Sequence, residues 1–164
     1  SYQLPEIADA MFEAESPQAI LDSGFAQLVT IMNQEVDFWM EKVPQEMENV
    51  PELELHIAKV KPRYNVKSIL INKLSQTMPN QSLLLMEEFN GKGLEGKMLI
   101  SARRQDHKVP MNEMLAFATK GLPEANGGGH IPAAGGIIRV QDEPIFLERV
   151  KEFLRAHPAS AGHR

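Results

Sequence analysis

The 164-residue chain has no cysteine. Disulfides, thiol nucleophiles and thiolate metal sites are excluded at once. Cysteine-free chains suit a reducing compartment, and the cytoplasm is the expected location. Long apolar runs are missing as well. A membrane-spanning helix needs about 18 or more consecutive apolar residues, whereas the longest run here, SLLLM at 82–86, has the length of a buried strand. No membrane partner and no signal peptide are expected. Positive charge is in deficit, with 17 Lys and Arg against 22 Asp and Glu, a net charge of −5. That argues against strong non-specific binding to duplex nucleic acid, which needs a broad basic face. A local basic pocket is still compatible with it.

Signatures of common catalytic machinery are also missing. There is no HExxH, no GxSxG and no GxxxxGK[ST], and so no zinc-protease helix, nucleophile elbow or phosphate-binding P-loop. Asp106-His107, inside RRQDHKVP, places an acid beside a histidine. One pair makes no metal cage, and the stretch reads as a charged turn.

What is present describes an ordinary globular chain. Hydrophobic residues make up 43% and charged residues 24%, enough for a core in one domain with a helical extension. The chain opens at Ser1 without an initiator methionine, which leads us to expect a piece of a longer protein. Residues 1–48 read as helical. Ser16-Pro17 is a plausible start, and Leu21, Phe25, Leu28, Met32, Val36, Trp39 and Val43 form one apolar stripe. Gly24 is a candidate break in it. Pro44 and Pro51 bracket an acidic stretch, read as a linker or helix end, so residues 1–50 are expected to be a helical connector. Residues 51–156 then form the domain, and 157–164, with His157 and His163, a solvated tail.

Within that domain, 53–60 alternates as a strand, with His56 on its more polar face. Residues 65–78 fit a helix capped by Asn65, with Val66, Ile69, Leu70 and Leu74 inward. SLLLMEEF (82–89) and KMLISARR (97–104) are strands joined through Asn90-Gly91, a strong hairpin signal. Residues 110–122 fit a short helix stopped by Gly121. Residues 135–140 form a further strand, and Asp142 caps a last helix with Phe146, Val150, Phe153 and Leu154 inward. The implied fold is α/β: a mixed sheet of four to five strands with flanking helices, preceded by an N-terminal helical segment.

Two stretches carry chemistry. The first is ANGGGHIPAAGG, residues 125–136. Gly127, Gly128 and Gly129 remove the side chains that would keep an anion from backbone N–H groups, and they permit the positive φ of an N–H nest. His130 follows directly, and Pro132 could open a helical turn aimed at the same anion. On the residues alone, the stretch reads equally as a flexible turn or as a phosphate or nucleotide loop. The second is Ser101-Ala102-Arg103-Arg104 at a strand end, where Ser101 and Arg103 alternate onto one face. An arginine there offers a fork for phosphate, or else a surface ion pair.

Taken together, ISARR followed by one short helix and then GGGHIPAAG resembles the DHH-associated domain 1. That domain forms the C-terminal half of DHH phosphoesterases, such as the RecJ-like exonucleases and the oligoribonuclease-type enzymes. Ser101 and Arg103 match its Ser-x-Arg strand, and Gly127, Gly128, Gly129, His130, Ala133, Ala134 and Gly135 match its GGGHxxAAG element. The resemblance implies that Ser101, Arg103, Gly127, Gly128, Gly129 and His130 bind substrate phosphate. The ligand would be a short single-stranded nucleic acid or a phosphorylated nucleotide. Manganese or magnesium would then sit on a covalently linked DHH catalytic domain outside this chain, and this chain alone would hold no catalytic residue. A free-standing RNA- or nucleotide-binding module is the alternative.

Overall fold

The structure, a computed structural model, describes residues 24–89 and 95–159. The first half of the expected helical segment, including Ser16-Pro17 and Leu21, lies outside the described residues, as do the 90–94 turn and His163. Helix α1 (Gly24–Glu46) carries Pro44 in its last turn. Val36, Trp39 and Val43 of its apolar stripe are buried. A short strand β1 (Glu48–Val50) follows, in place of the expected linker, then a 3-10 turn and strand β2 (Leu55–Val60). Helix α2 (Lys67–Thr77), strand β3 (Ser82–Phe89), strand β4 (Lys97–Arg103) and helix α3 (Met111–Thr119) come next. Strand β5 (Asn126–His130), strand β6 (Ala133–Arg139) and helix α4 (Glu143–Ala156) complete the described chain.

The sheet has six strands in the order β1-β2-β3-β4-β6-β5, against the four or five expected. Only β2 and β3 pair in parallel, with α2 as their crossover; every other pair is antiparallel. The two unforeseen strands lie at the two edges. One is β1. The other is β5, which contains Gly127, Gly128 and Gly129 and was expected to be a loop.

Period-2 alternation sends residues to two different cores. Leu55, Ile57, Leu84, Met86, Met98, Ile100, Ala102, Ala134 and Ile138 face α3 and α4, whose Met111, Met114, Leu115, Phe146, Val150 and Phe153 complete the larger core. On the other face, Ala58, Val60, Leu83 and Leu85 meet Leu70, Ile71 and Leu74 of α2 and Trp39 and Val43 of α1. The face on which His56 was placed is therefore covered by helices over β2 and β3. No residue of β4, β5 or β6 belongs to that second core. Among the described residues, α1 and α2 cover β2 and β3 on this face, α2 reaches across to β4, and no hydrophobic cluster lies over β6 and β5.

Three local expectations change and a fourth is qualified. Val66, not Asn65, precedes α2, and no side chain caps it. Ile69 is 44% exposed while Ile71 is fully buried, because the buried stripe of α2 runs through Leu70, Ile71 and Leu74. Asp142 does stand at the start of α4, but its carboxylate is held by Arg139 at 2.7 and 3.0 Å and caps no N–H. His157 is exposed, yet its ring stacks on Phe153 with centroids 4.1 Å apart.

Candidate functional site

The half of this face that no hydrophobic cluster covers among the described residues gathers the residues singled out in the sequence. Register across the sheet pairs Arg103 with Ala133, and Ala133 with His130. Ser101 pairs with Gly135, and Gly135 with Gly128. Directly paired residues point to the same side of a sheet. Ser101, Arg103, Ala133, Gly135, Gly128 and His130 therefore share one face, in two adjacent rows. Strands stand about 4.8 Å apart, so the backbones at Arg103 and His130 are separated by about 10 Å. The row through Arg103 also runs inward through Leu83 to His56. His56 Nδ1 is buried without a partner, and burial lowers its pKa from the ordinary 6.5.

The glycines work differently from the nest drawn from sequence. Gly127 and Gly128 are extended and sit in the β5–β6 ladder opposite Gly136 and Gly135. Gly129 alone of the three has a positive φ, +139°. Three successive N–H groups on a β-strand point alternately to opposite edges and do not converge on one anion. Close packing explains two of the glycines. A Cβ on Gly127 would stand 2.7 Å from the Leu115 carbonyl oxygen of α3, and one on Gly129 would stand 2.7 Å from that of Ala133. A Cβ on Gly128 would meet nothing within 4 Å. Gly128 thus lies bare on the open face for no packing reason.

Pro132 opens no helix; Ile131 and Pro132 form the two-residue turn between β5 and β6. That turn is pinned from both sides. Arg104 N–H donates to the Pro132 carbonyl at 3.0 Å, and Met111 N–H, in the first turn of α3, donates to the Ile131 carbonyl at 2.8 Å. The first donor of α3 is therefore spent on the hairpin, and the tip that carries His130 is fixed to the end of β4.

The adjacent arginines have opposite fates. Arg104 is 1% exposed. It donates to Asp106 at 2.7 and 3.0 Å, to Glu54 at 2.7 Å and to Ser82 Oγ at 3.2 Å. Burial alone would lower its pKa, but the hydrogen bonds it donates to the two carboxylates, and their charges, raise it. The ion pair considered for this stretch belongs to Arg104 and is structural. Asp106, half of the sequence's acid–histidine pair, is committed to it. Among the described residues no group of three or more His, Cys, Asp or Glu could hold a metal ion, and no helix is long and apolar enough to cross a membrane.

Arg103 is half-buried and meets only neutral oxygens. Its Nε donates to Asn72 Oδ1 at 3.0 Å, and its Nη1 to the carbonyls of Ala102 at 2.9 Å and Ala134 at 3.4 Å. Burial lowers its pKa, with no carboxylate opposing the shift. Among the described residues, Arg103 Nη2, Ser101 Oγ and the His130 ring bond to no protein atom. The half-face thus presents a partly desolvated cation without an acid partner and two free polar groups over a floor of glycine and alanine. Sequence reasoning missed Asn72. An exposed asparagine on a helix carries no periodic or motif signal, and only the fold brings it to Arg103.

The family is shown by comparison with known proteins. Residues 54–156, more than half of the chain, match the DHHA1 domain, and the chain belongs to that family. Its structural neighbours are RecJ and other DHH-family proteins. RecJ from Thermus thermophilus in complex with Mn2+ superposes with a TM-score of 0.68 at 18% identity, covering 94% of this chain and 22% of that one. An exonuclease RecJ bound to manganese gives 0.66 at 20% identity, with 91% and 35% covered. The pGpG-specific phosphodiesterase PggH from Vibrio cholerae gives 0.56 at 14% identity, with 91% and 48% covered. At these identities the likeness establishes the fold. The chain spans less than half the length of each. No curated protein matches the sequence.

Proposed function

We propose that this domain holds the phosphate of a short single-stranded nucleic acid or phosphorylated nucleotide for a DHH-family phosphoesterase. In this reading the chain clamps the substrate and a separate DHH domain supplies the chemistry. The observation that carries it is the state of Arg103. A partly buried guanidinium commonly has an acid partner, because taking an uncompensated charge out of water is costly in proportion to its burial. Here the fold supplies three neutral acceptors and no acid. A phosphate oxygen at Nη2 would complete the set, with a charge-assisted bond stronger than any of the three. His130 and Ser101 share the face and can donate to the same anion, and bare Gly128 and Gly135 let it reach the sheet.

Nucleotide chemistry is further supported by the relatives, two of which are named for an exonuclease and a phosphodiesterase acting on pGpG. In this reading, divalent ions such as those found with RecJ would sit on the DHH domain outside this chain. Titrating this chain with a 5′-phosphorylated dinucleotide tests the reading. Binding should be modest, since few phosphate contacts are made and the net charge of −5 repels polyanions. Arg103→Ala should weaken it about tenfold, the usual scale for losing one bond to a charged group. His130→Ala should weaken it less. Undiminished affinity in both variants would refute the assignment.

A further inference from the structure

We infer that Asn72 is a positioning residue for the phosphate-gripping arginine: its neutral Oδ1 orients the Arg103 guanidinium without neutralising it. This rests on the reading of Arg103 given above. Arginine carries five N–H donors in a rigid planar fork. Fixing Nε on one side and Nη1 on the other leaves Nη2 as the outward corner. Asn72 holds Nε at 3.0 Å, and the carbonyls of Ala102 and Ala134 hold Nη1. Because Nε can only donate, the Asn72 amide must present its oxygen.

Asn72 does not depend on this one bond for its place. Its own carbonyl accepts from Ser75 Oγ at 3.0 Å, and Ser75 Oγ in turn accepts from Gln105 Nε2 at 2.7 Å. Helix α2 is thereby tied to the chain just beyond β4, and the spacing between Asn72 and Arg103 is set twice. Chemical type matters as much as position. Beside it, Arg104 shows what carboxylates do in this fold: Glu54 and Asp106 occupy Nε and Nη2 and saturate the cation. An acid at position 72 would compete with an incoming phosphate for the same charge. An amide oxygen orients equally well and leaves the charge available.

The inference makes three substitutions behave differently in the 164-residue chain, titrated with a 5′-phosphorylated dinucleotide. Asn72→Leu removes the acceptor and should weaken binding about tenfold. The Arg103 Nε–H resonance should lose its protection from exchange at the same time. In an Arg103→Ala background the same substitution should cost nothing further, since the two residues act as one unit. Asn72→Asp keeps an acceptor but adds a charge, and should bind no better than Asn72→Leu even though Nε–H stays protected. Asn72→Gln, neutral and acceptor-bearing, should retain most of the affinity. Asn72 is exposed, so melting temperatures should stay close to that of the parent and fold loss is separable. Asn72→Asp binding as tightly as the parent would overturn the inference. So would equal weakening by Asn72→Leu with and without Arg103. If Arg103→Ala weakens binding and Asn72→Leu does not, positioning fails while the phosphate reading stands. If neither weakens it, both fail.

Discussion

The three successive glycines can be separated experimentally, because the fold gives them different neighbours. In Gly127→Ala, the new methyl would lie 2.7 Å from the Leu115 carbonyl oxygen and 2.9 Å from its carbon. Both are backbone atoms of α3 and cannot rotate away. The helix must lift, and overpacking of this kind costs about 1–3 kcal/mol. For a chain of this size that lowers Tm by roughly 3–9 °C. In Gly128→Ala the methyl meets nothing within 4 Å, and the backbone is in an ordinary extended conformation. Loss of unfolded-state freedom should make that variant more stable by about 0.4–1 kcal/mol. Its side chain would stand on the same face as Arg103 and His130, so Gly128→Leu should fold and yet bind a phosphorylated dinucleotide about tenfold more weakly, ~1.4 kcal/mol. Circular-dichroism melts and ligand titrations on the same preparations decide the matter. If Gly128→Ala destabilises as much as Gly127→Ala, the packing account is wrong. If Gly128→Leu binds normally, the open half-face is not where the ligand lies.

Other outcomes follow from the same geometry. Arg104→Leu should cost about 3 kcal/mol in urea denaturation, because it strips the cation from Asp106, Glu54 and Ser82, whereas Arg103→Ala should cost about 1 kcal/mol or less. Asp106 should show up in acid. Burial would raise its pKa, but the hydrogen bonds from Arg104 and the Lys108 N–H prevail and lower it from 3.8. Its contribution is therefore complete above that unfolded value and lost as pH falls through the lower folded value. The stability deficit of Asp106→Asn, measured by denaturant titration, should be full at pH 6 and shrink as pH falls below 3.8. Trp39→Ala empties a buried site shared by α1, α2 and β2 and should cost about 3 kcal/mol, with α1 becoming the first segment cut by protease.

Most of the fold was legible where side chains alternate. Leu55 and Ile57, Leu84 and Met86, and Met98, Ile100 and Ala102 declare their strands because each residue must choose a face. The same signal is silent where there are no side chains. Gly127, Gly128 and Gly129 cannot alternate in hydrophobicity, so a strand built from them reads as a loop, and the sheet comes out short at that edge. Strand β1 fails for a different reason: Glu48–Val50 is three residues long and mostly polar, below the length at which a period can be seen. Ile69 pointed outward because a helix with apolar residues at 69, 70, 71 and 74 can bury only part of them, and the sheet chose the stripe through 70, 71 and 74.

The candidate site was legible only in pieces, and the reason is topological. Alternation places Ser101 and Arg103 on one face of β4 without any knowledge of the fold. A glycine run before a histidine marks the other piece. Their meeting depends on β6 lying between β4 and β5, so that Arg103, Ala133 and His130 fall in one row. No local pattern encodes that order. It also replaces the mechanism drawn from the glycines. Freedom of φ is used at Gly129, where φ is +139°; at Gly127 the missing side chain admits a helix, and at Gly128 it leaves the sheet bare. A loop nest would grip an anion through converging N–H groups and would tolerate loss of a distant arginine. A flat edge strand has no converging donors. On the proposed reading, affinity for phosphate would come from side chains standing on the face; of its described cations, Lys97 and Arg139 are paired with Glu124 and Asp142, and Arg103 has no acid partner.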